Sequence, residues 1–390
     1  MVVKRIWLAL VGSIVVISGC TPFLQPEEEI LEEGPIEEEQ VVELSPDVYT
    51  PENYYRSVLY EGKYQHGEAR GFSTAVVHNR LDLEQLELGL TVIAQEQFDP
   101  EQYFFREGKY IKRDELNSWL MRESEDNPNG LNPPLGEGED DKAREENQPR
   151  YLSHILEHNY LVENSNGQLE LGGIVVGLSM NSIYHFRIID ENGGYYFYEQ
   201  EVDRDEMIKA GQKMADQVVE RLRSETREEG ILSEIPIVVA LFEEQQREAV
   251  IPGTFIYKAV AEPNREVGNW QKINERYYLF PSTEANNDQR NDAERVSKFN
   301  EEVNDFFDNY IGVVGKGYYK NEQLQELSIE VPIRFYGKTE VVALSQYVAD
   351  KITQIFPSGY KVQVYITSIS GQESLIVRNP DEEPFIHIYR

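Results

Sequence analysis

The pattern of apolar and polar positions divides the chain into an apolar leader, an acidic stretch and a long globular part. Residues 6–17 are almost wholly apolar and follow the basic pair Lys4 and Arg5. This run is short for a membrane span, which takes about 20 apolar residues, and its layout is that of a secretory signal. Residues 21–50 are dense in Glu and Pro and lack Lys and Arg, so we expect an extended tether there. A calcium-binding arm is less favoured, because the acids lack the fixed spacing of a metal site.

The first globular part shows mixed periodicity. Residues 81–96 predict a helix capped by Asn79, residues 98–111 an aromatic strand pair, and residues 114–122 a short helix. Residues 123–149 are rich in Asn, Pro, Gly and acids, and they predict a long polar loop.

The second half of the chain repeats a unit of strand, helix, strand and strand. The first copy comprises residues 172–186, 205–224, 235–242 and 253–261. The second copy comprises residues 324–336, 339–356, 359–369 and 383–389. An Ala-Asp pair lies at the equivalent place in each predicted helix, Ala215-Asp216 and Ala349-Asp350, among apolar residues at helical spacing. Such a unit covers one face of a mainly antiparallel sheet with a helix, which is an α+β fold.

These patterns predict six segments. They are a signal peptide (1–20), an acidic disordered tether (21–50), an N-terminal α+β segment (51–160), a first repeat (161–265), a connecting segment (266–320) and a second repeat (321–390). Residues 285–310, within the connecting segment, predict a long polar helix.

The charge of the chain limits its partners. The formal net charge is −33, from 70 Asp and Glu against 37 Lys and Arg. A surface of this sign repels nucleic acids, anionic lipid headgroups and wall polymer phosphates, so nucleic-acid binding is excluded and membrane attachment needs a lipid. Hydrophobic residues make up 40% of the chain, which suffices for a sizeable core.

The single cysteine lies where the leader ends. Ile17-Ser18-Gly19-Cys20 has the aliphatic residue and two small residues that precede a lipidated cysteine in bacterial lipoproteins. Small residues admit a signal peptidase, and the Cys20 thiol accepts a diacylglyceryl group from a lipid transferase. We therefore expect a membrane-anchored protein on the outer face of the cell membrane. The alternative is an uncleaved membrane anchor with an incidental cysteine.

Several segments together resemble one family. They are FDPEQYFFREGKYI (98–111), GLNPPLGE (130–137), PRYLSHILEHNYL (149–161), LELGGIVVGLSMNS (169–182) and IPGTFIYKAV (251–260). With the lipobox, they make the chain similar to the CamS family of lipoproteins, the precursors of a bacterial sex-pheromone peptide. The resemblance implies a Gram-positive surface lipoprotein that is not an enzyme and has an α+β fold with two CamS-type repeats. It also implies that a short apolar peptide, here about Gly12–Ser18, is excised from the signal sequence, and it leaves the role of the mature domain open.

The most catalytic-looking string is His154-Ile-Leu-Glu157-His158. On a helix this spacing puts both imidazoles on one face, where they can hold zinc while the glutamate activates water. The string lacks a third ligand, so a zinc hydrolase is the least favoured hypothesis and no cofactor is expected. Gly172-Gly173 lacks the later glycines of a nucleotide-binding motif and predicts a bend.

A cell-envelope binding module is the main alternative function. The loop 123–149 and the tyrosine-rich residues 195–199 would border a groove for a glycan or a peptide, since tyrosine offers broad, partly polar contact area. An aromatic groove between the two repeats would favour this function. The alternative interpretation is structural: these tyrosines only cover the edge of a sheet.

Overall fold

The computed structural model describes residues 42–50, 52–69, 82–306, 312–334 and 337–390. The chain separates into two units, Met1–Val41 and Val42–Arg390, and all described residues belong to the second. The predicted signal peptide, Cys20 and most of the predicted tether lie outside the described residues.

The described part combines strands and helices throughout. The strands are β1 (Val42–Leu44), β2 (Val58–Tyr60), β3 (Lys63–Tyr64), β4 (Tyr103–Glu107), β5 (Leu152–Glu163), β6 (Leu169–Met180), β7 (Ile183–Ile189), β8 (Tyr195–Glu201), β9 (Ile237–Glu243), β10 (Thr254–Ala261), β11 (Gln271–Lys272), β12 (Glu275–Phe280), β13 (Val314–Lys320), β14 (Gln323–Pro332), β15 (Lys361–Ser368), β16 (Gly371–Arg378) and β17 (Phe385–Ile388). The helices are α1 (Leu83–Ala94), α2 (Arg113–Leu120), α3 (Asp141–Asn147), α4 (Arg204–Leu222), α5 (Thr283–Asp288), α6 (Arg290–Phe306) and α7 (Lys338–Ile355), with a 3-10 helix at Glu228–Ser233.

The first large sheet has six strands in the order β11-β10-β9-β6-β5-β4. All neighbours are antiparallel except β6 and β9, whose parallel pairing requires a crossover, and α4 provides it. The α4 side chains Met214 and Val218 pack on one face of the sheet. On the opposite face, α1 packs Leu86 and Leu90 against the sheet.

The second large sheet has six strands in the order β12-β13-β14-β15-β16-β17. Its single parallel pair is β14 with β15, and α7 forms the crossover between them. The buried face of α7, with Val341, Val348 and Ile352, packs with α6 and the second sheet in a hydrophobic core that is separate from the cores of the first sheet. The two sheets therefore share strand order and strand directions. This confirms the α+β class and extends the duplicated unit from four elements to a whole sheet.

The details of the duplication differ from the sequence prediction. Residues 172–186 are not one strand, because β6 ends at Met180 and β7 begins at Ile183. The hairpin β7–β8 is inserted between β6 and α4, whereas residues 333–337 join β14 to α7 and are too short for a hairpin. In the second copy the counterpart of β10 is β16, which was not predicted, and residues 383–389 contain the edge strand β17.

Other predicted elements are confirmed or corrected. The helix predicted at 81–96 is α1, with Asp82 at its N-cap, while Asn79 lies outside the described residues. Residues 98–111 contain the single strand β4 rather than a strand pair. The polar helix predicted at 285–310 is divided at Gln289 into α5 and α6. In the described part of the chain, no helix has the length and apolarity needed to cross a membrane.

Candidate functional site

The predicted zinc motif lies on a strand, not on a helix. Residues 152–163 form β5, a long strand paired on both sides by β4 and β6. Because side chains alternate along a strand, His154 and His158 point to one face and Glu157 points to the other. Four strand residues also span about 13 Å, too far for both imidazoles to bind one ion. The helical arrangement that motivated the zinc hypothesis is therefore wrong.

Both histidines are buried. The ring of His158 packs edge-on against Phe105, with 4.9 Å between the ring centroids. Burial lowers the pKa of His154 to about 4 and the pKa of His158 to about 3, so both rings are neutral near pH 7. Across the described ranges, no cluster of three or more His, Cys, Asp and Glu side chains is arranged to hold a metal ion.

Glu157 stabilises the chain that follows β4. Its carboxylate accepts hydrogen bonds from the backbone N–H groups of Lys109 at 3.2 Å, Tyr110 at 3.1 Å and Ile111 at 2.7 Å. The Asn159 side-chain amide donates a further bond at 2.6 Å. A buried carboxylate with this many donors is fully occupied, so Glu157 is not available to activate a water molecule.

A second buried acid was missed by sequence reasoning. Glu244 follows the last residue of β9 and is 1% exposed. The Ser179 hydroxyl donates to its Oε1 at 2.6 Å, while its Oε2 has no hydrogen-bond partner in the described structure. Burial raises the pKa of Glu244 to about 8, so its carboxyl group is mostly protonated at neutral pH. Ser179 is the register partner of His154, so this polar spot lies on the sheet face that α1 covers.

A charged groove lies at the junction of the two sheets. Its volume is about 530 Å³, and β9, β10, β11 and β12 contribute to its walls. The polar lining includes Arg204, Glu243, Gln245, Lys272, Asn274, Glu275, Arg276, Tyr277 and Glu284. Arg204 pairs with Glu243 at 2.8 Å, and burial raises the pKa of Glu275. The groove therefore combines cations and carboxylates with one tyrosine, and it is not the aromatic groove that would favour glycan stacking.

The polar loop and the tyrosine-rich strand do contact each other. The Tyr184 hydroxyl on β7 donates to Glu145 at 2.8 Å, and Lys142 Nζ lies 5.1 Å from the centroid of the Tyr198 ring on β8. Asn132 is fully buried and bonds the Leu152 N–H at 2.9 Å, so the middle of the loop is part of the packed structure. The segment 123–149, predicted to be a loop, therefore contains the helix α3 and packs against β5 and the hairpin.

Comparisons with known proteins place the chain among pheromone precursors. A family profile described as "CamS sex pheromone cAM373 precursor" matches residues 64–384. A crystal structure of a sex pheromone precursor from Lactobacillus salivarius is 28% identical, with a TM-score of 0.79, covering 90% of this chain and 99% of that one. The C-terminal domain of the sex pheromone staph-cAM373 precursor from Staphylococcus aureus is 27% identical, with a TM-score of 0.64, covering 79% of this chain and 96% of that one. No curated protein matches the chain.

Proposed function

We propose a precursor role at the cell surface for this chain, which belongs to the CamS family of sex pheromone precursors. In this proposal the leader is cut before Cys20, the cysteine is lipidated, and the apolar end of the leader becomes a short secreted peptide. The observation that carries the proposal is the order of basic pair, apolar run and Ile17-Ser18-Gly19-Cys20 around the single cysteine of the chain.

The chemistry of each step fits these residues. Ser18 and Gly19 leave room for a peptidase at the bond before Cys20, and the thiol is the nucleophile that accepts the lipid. Each buried CH₂ of an acyl chain contributes about 0.8 kcal/mol, so several chains hold the protein on the membrane although its net charge repels anionic headgroups. The excised stretch Gly12–Ser18 has no charged residue, which suits a small diffusible signal.

Mass spectrometry of small peptides in the culture medium tests this role. We expect a peptide from Gly12–Ser18 from the wild-type strain and from a Thr21→Ala strain, in which the residue after the cysteine changes. We expect none from a Cys20→Ala strain, because processing requires the lipidated thiol. A peptide that appears equally without Cys20, or in no strain, contradicts the proposal.

A second role, envelope binding, is favoured by the charged groove. The lining of this groove of about 530 Å³ includes the cations Lys272 and Arg276 and the acids Glu243 and Glu275, which suits a short peptide that carries both an amine and carboxylates. Arg276 also pairs with Glu284 and Asp288. We propose that the groove binds the peptide part of a cell-wall fragment rather than its glycan, because its lining offers one tyrosine for stacking.

Isothermal titration with a disaccharide-pentapeptide wall fragment tests the groove. Reversing Lys272 and Arg276 to Glu is expected to weaken binding about ten-fold or more, since the fragment's carboxylates then meet like charge. Lys209→Glu, an exposed residue of α4, is the control of equal sign and is expected to bind as wild type. Absence of binding to the wild-type protein would rule out this second role without affecting the precursor role.

A further inference from the structure

A cavity lies at the corner where α4 ends and the chain returns to the first sheet. Its volume is about 680 Å³, and it is lined by the last two turns of α4, by Ser233 of the 3-10 helix and by residues 264–267 after β10. The charged groove lies at the opposite ends of these elements, because Arg204 begins α4 and Glu243 is the last residue of β9. The two linings share no residue, so this corner cavity is a separate site.

Two acids of the corner cavity lack a counterion. Asp216 on α4 and Glu266 after β10 both line it, and within the described ranges neither carboxylate forms an ion pair or accepts a hydrogen bond. Burial and the nearby charge of Glu266 raise the pKa of Asp216. The two carboxylates therefore repel each other at the cavity wall, and a cation placed between them removes that repulsion.

The second repeat contains the same corner. Asn264 in the first copy and Asp381 in the second both have a left-handed backbone, with φ of 58° and 59°. The Asn264 N–H donates to the Ser233 carbonyl at 2.7 Å. In the same way, the Asp381 N–H donates to the Ser358 carbonyl at 2.8 Å. The side chains of the two corners can therefore be compared position by position.

In the second corner the polar side chains bond one another. The Ser358 hydroxyl donates to the Asp381 carboxylate at 2.7 Å. The Gln354 side-chain amide donates at 2.6 Å to Asp350, which is the counterpart of Asp216 on the crossover helix. This copy of the corner therefore satisfies its own polar groups.

In the first corner the corresponding side chains remain open to the cavity. The Ser233 hydroxyl donates to the Arg223 carbonyl at 3.2 Å and not to the turn residue. The side chains of Asn264 and Asp216 form no hydrogen bond within the part of the chain that the structure describes. One copy of a duplicated corner thus presents polar groups to a cavity that the other copy closes among themselves, as expected of a ligand site.

The rest of the lining decides which ligand fits. The Arg223 guanidinium is not available, because it donates to backbone carbonyls, including that of Ala261 at 2.9 Å. Arg265 is exposed and forms no ion pair among the described residues, so it can bind an anionic group. Val219 and Val267 add apolar surface between the charged groups. The cavity therefore combines a pair of acids, one available guanidinium and an apolar wall.

We propose that the corner cavity binds a basic amino acid. The side-chain amine lies between Asp216 and Glu266, and the carboxylate lies at Arg265. The aliphatic stem packs on Val219 and Val267. Acidic amino acids and phosphate compounds are disfavoured, because they meet the two carboxylates without a matching cation. This site is independent of the processing of the leader and of the charged groove.

Isothermal titration of L-lysine into the full-length chain in a neutral detergent tests the proposal. Asp216→Asn is expected to weaken binding about ten-fold or more, because the amine loses one of its two carboxylates. The matched control is Asp350→Asn, which makes the same change at the equivalent place of the second repeat. The control variant is expected to bind L-lysine as wild type does.

A second comparison tests the role of the guanidinium. Arg265→Gln is expected to weaken binding of L-lysine severalfold, while binding of cadaverine, the diamine that lacks the carboxylate, does not weaken. Arg247→Gln, at an exposed position in the loop after β9, is the control of equal charge and is expected to bind both compounds as wild type does. A merely structural role of Arg265 would weaken both compounds equally.

Three results would overturn the proposal. The first is absence of L-lysine binding to the wild-type protein. The second is equal weakening by Asp350→Asn, which would show attraction by net charge alone. The third is binding of calcium that Asp216→Asn abolishes and that L-lysine does not displace, which would assign the acids to a metal ion. Thermal unfolding of each variant is expected to match wild type, because the substituted side chains are exposed, and it excludes loss of the fold as the cause.

Discussion

At the residue scale, the structure separates a few buried polar side chains from the many that are exposed. Glu157 and Glu244 are two of 70 acids, and no local pattern marks them as buried. Glu157 accepts hydrogen bonds from backbone N–H groups, whereas Glu244 accepts one from the Ser179 hydroxyl, and burial raises its pKa to about 8.

Glu244 predicts that stability falls as the pH rises. The folded state keeps the Glu244 proton up to about pH 8, while the unfolded chain releases it near the ordinary value of 4.5. The unfolded state binds fewer protons in this window, so the free energy of unfolding decreases between these pH values, by on the order of 4 kcal/mol. Urea unfolding of wild type and Glu244→Gln across this pH range tests the effect. The stability of the variant relative to wild type is expected to increase with pH, because glutamine has no proton to lose.

The control for this profile is Glu248→Gln, an exposed acid in the loop after β9. It is expected to follow the wild-type curve at every pH. A Glu244→Gln curve parallel to wild type would contradict a buried protonated carboxyl group. The buried histidines act on the other side of the profile: their pKa values are lowered to about 4 and about 3, so stability is lost as the pH falls below the ordinary histidine value of 6.5.

The conservative substitution Glu157→Gln is expected to cause a large loss of stability. Glu157→Gln replaces one acceptor oxygen by an NH₂ group that faces the backbone donors of residues 109–111, so buried N–H groups lose their partner. We expect a loss of about 3 kcal/mol in the free energy of unfolding, measured by urea denaturation. Glu163→Gln, at the exposed end of the same strand, is expected to stay within about 0.5 kcal/mol of wild type.

At the scale of elements, close packing limits the size of the side chains that fit at some strand positions. Gly172 lies at a register shift in β6, opposite Tyr160 and Leu161. Its neighbour Gly173 makes room for Phe98, because a Cβ at Gly173 would lie 2.2 Å from the ring. The Gly-Gly pair, which the sequence predicted to be a bend, is thus a bulge together with a packing site for an aromatic ring.

Gly173→Ala is expected to destabilise the protein by about 1–3 kcal/mol, because the Phe98 ring must move within a filled core. Gly359→Ala is the matched control, since a Cβ there meets no atom within 4 Å. Thermal unfolding monitored by circular dichroism compares the two. Equal melting temperatures for both variants would show that the Phe98 pocket is looser than described.

In both large sheets an arginine forms hydrogen bonds that link the end of the crossover helix to a neighbouring strand. In the second sheet Arg378 of β16 donates to the Ile352 and Phe356 carbonyls at the end of α7, at 3.0 and 3.2 Å. In the first sheet Arg223, just after α4, donates to the Ala261 carbonyl at the end of β10, at 2.9 Å. In the first sheet the arginine follows the helix and bonds the end of the strand, whereas in the second sheet it lies on the strand and bonds the end of the helix. The sequence positions of the two arginines therefore do not correspond.

Arg378→Met is expected to cost about 2–4 kcal/mol, because it removes the guanidinium that donates to the Ile352, Phe356 and Pro357 carbonyls while it keeps the aliphatic stem. Arg390→Met, at the exposed end of the chain, serves as control and is expected to be neutral. Hydrogen exchange would show the loss at the end of α7 first. Unchanged protection there would mean that the helix end does not depend on Arg378.

At the scale of the whole molecule, repulsion between the excess negative charges lowers the stability of the folded state. A formal charge of −33 opposes compaction, and salt screens this repulsion. Raising NaCl from about 0.01 M to about 1 M shortens the Debye length from about 30 Å to about 3 Å, so the melting temperature is expected to rise by several degrees. Near the isoelectric point the same change is expected to have little effect. A salt response that is equal at both pH values would point to a cause other than self-repulsion.

The sequence by itself determined the family, the α+β class and the duplicated strand-helix unit, and it predicts lipidation at Cys20, which lies outside the described residues. These depend on local signals: an apolar run before a cysteine, helical spacing around Ala215 and Ala349, and matching segments in a fixed order. Such signals survive without knowledge of neighbouring elements, because periodicity reports directly which face of an element is buried.

Only the tertiary structure decided which pattern prevails where local signals compete. His154-Ile-Leu-Glu157-His158 has helical motif spacing, yet it forms a strand because β4 and β6 supply hydrogen-bond partners on both sides. The buried state of Glu244 and the charged groove likewise depend on residues distant in sequence. Backbone pairing and burial are set by those distant neighbours, and a single stretch of sequence does not specify them.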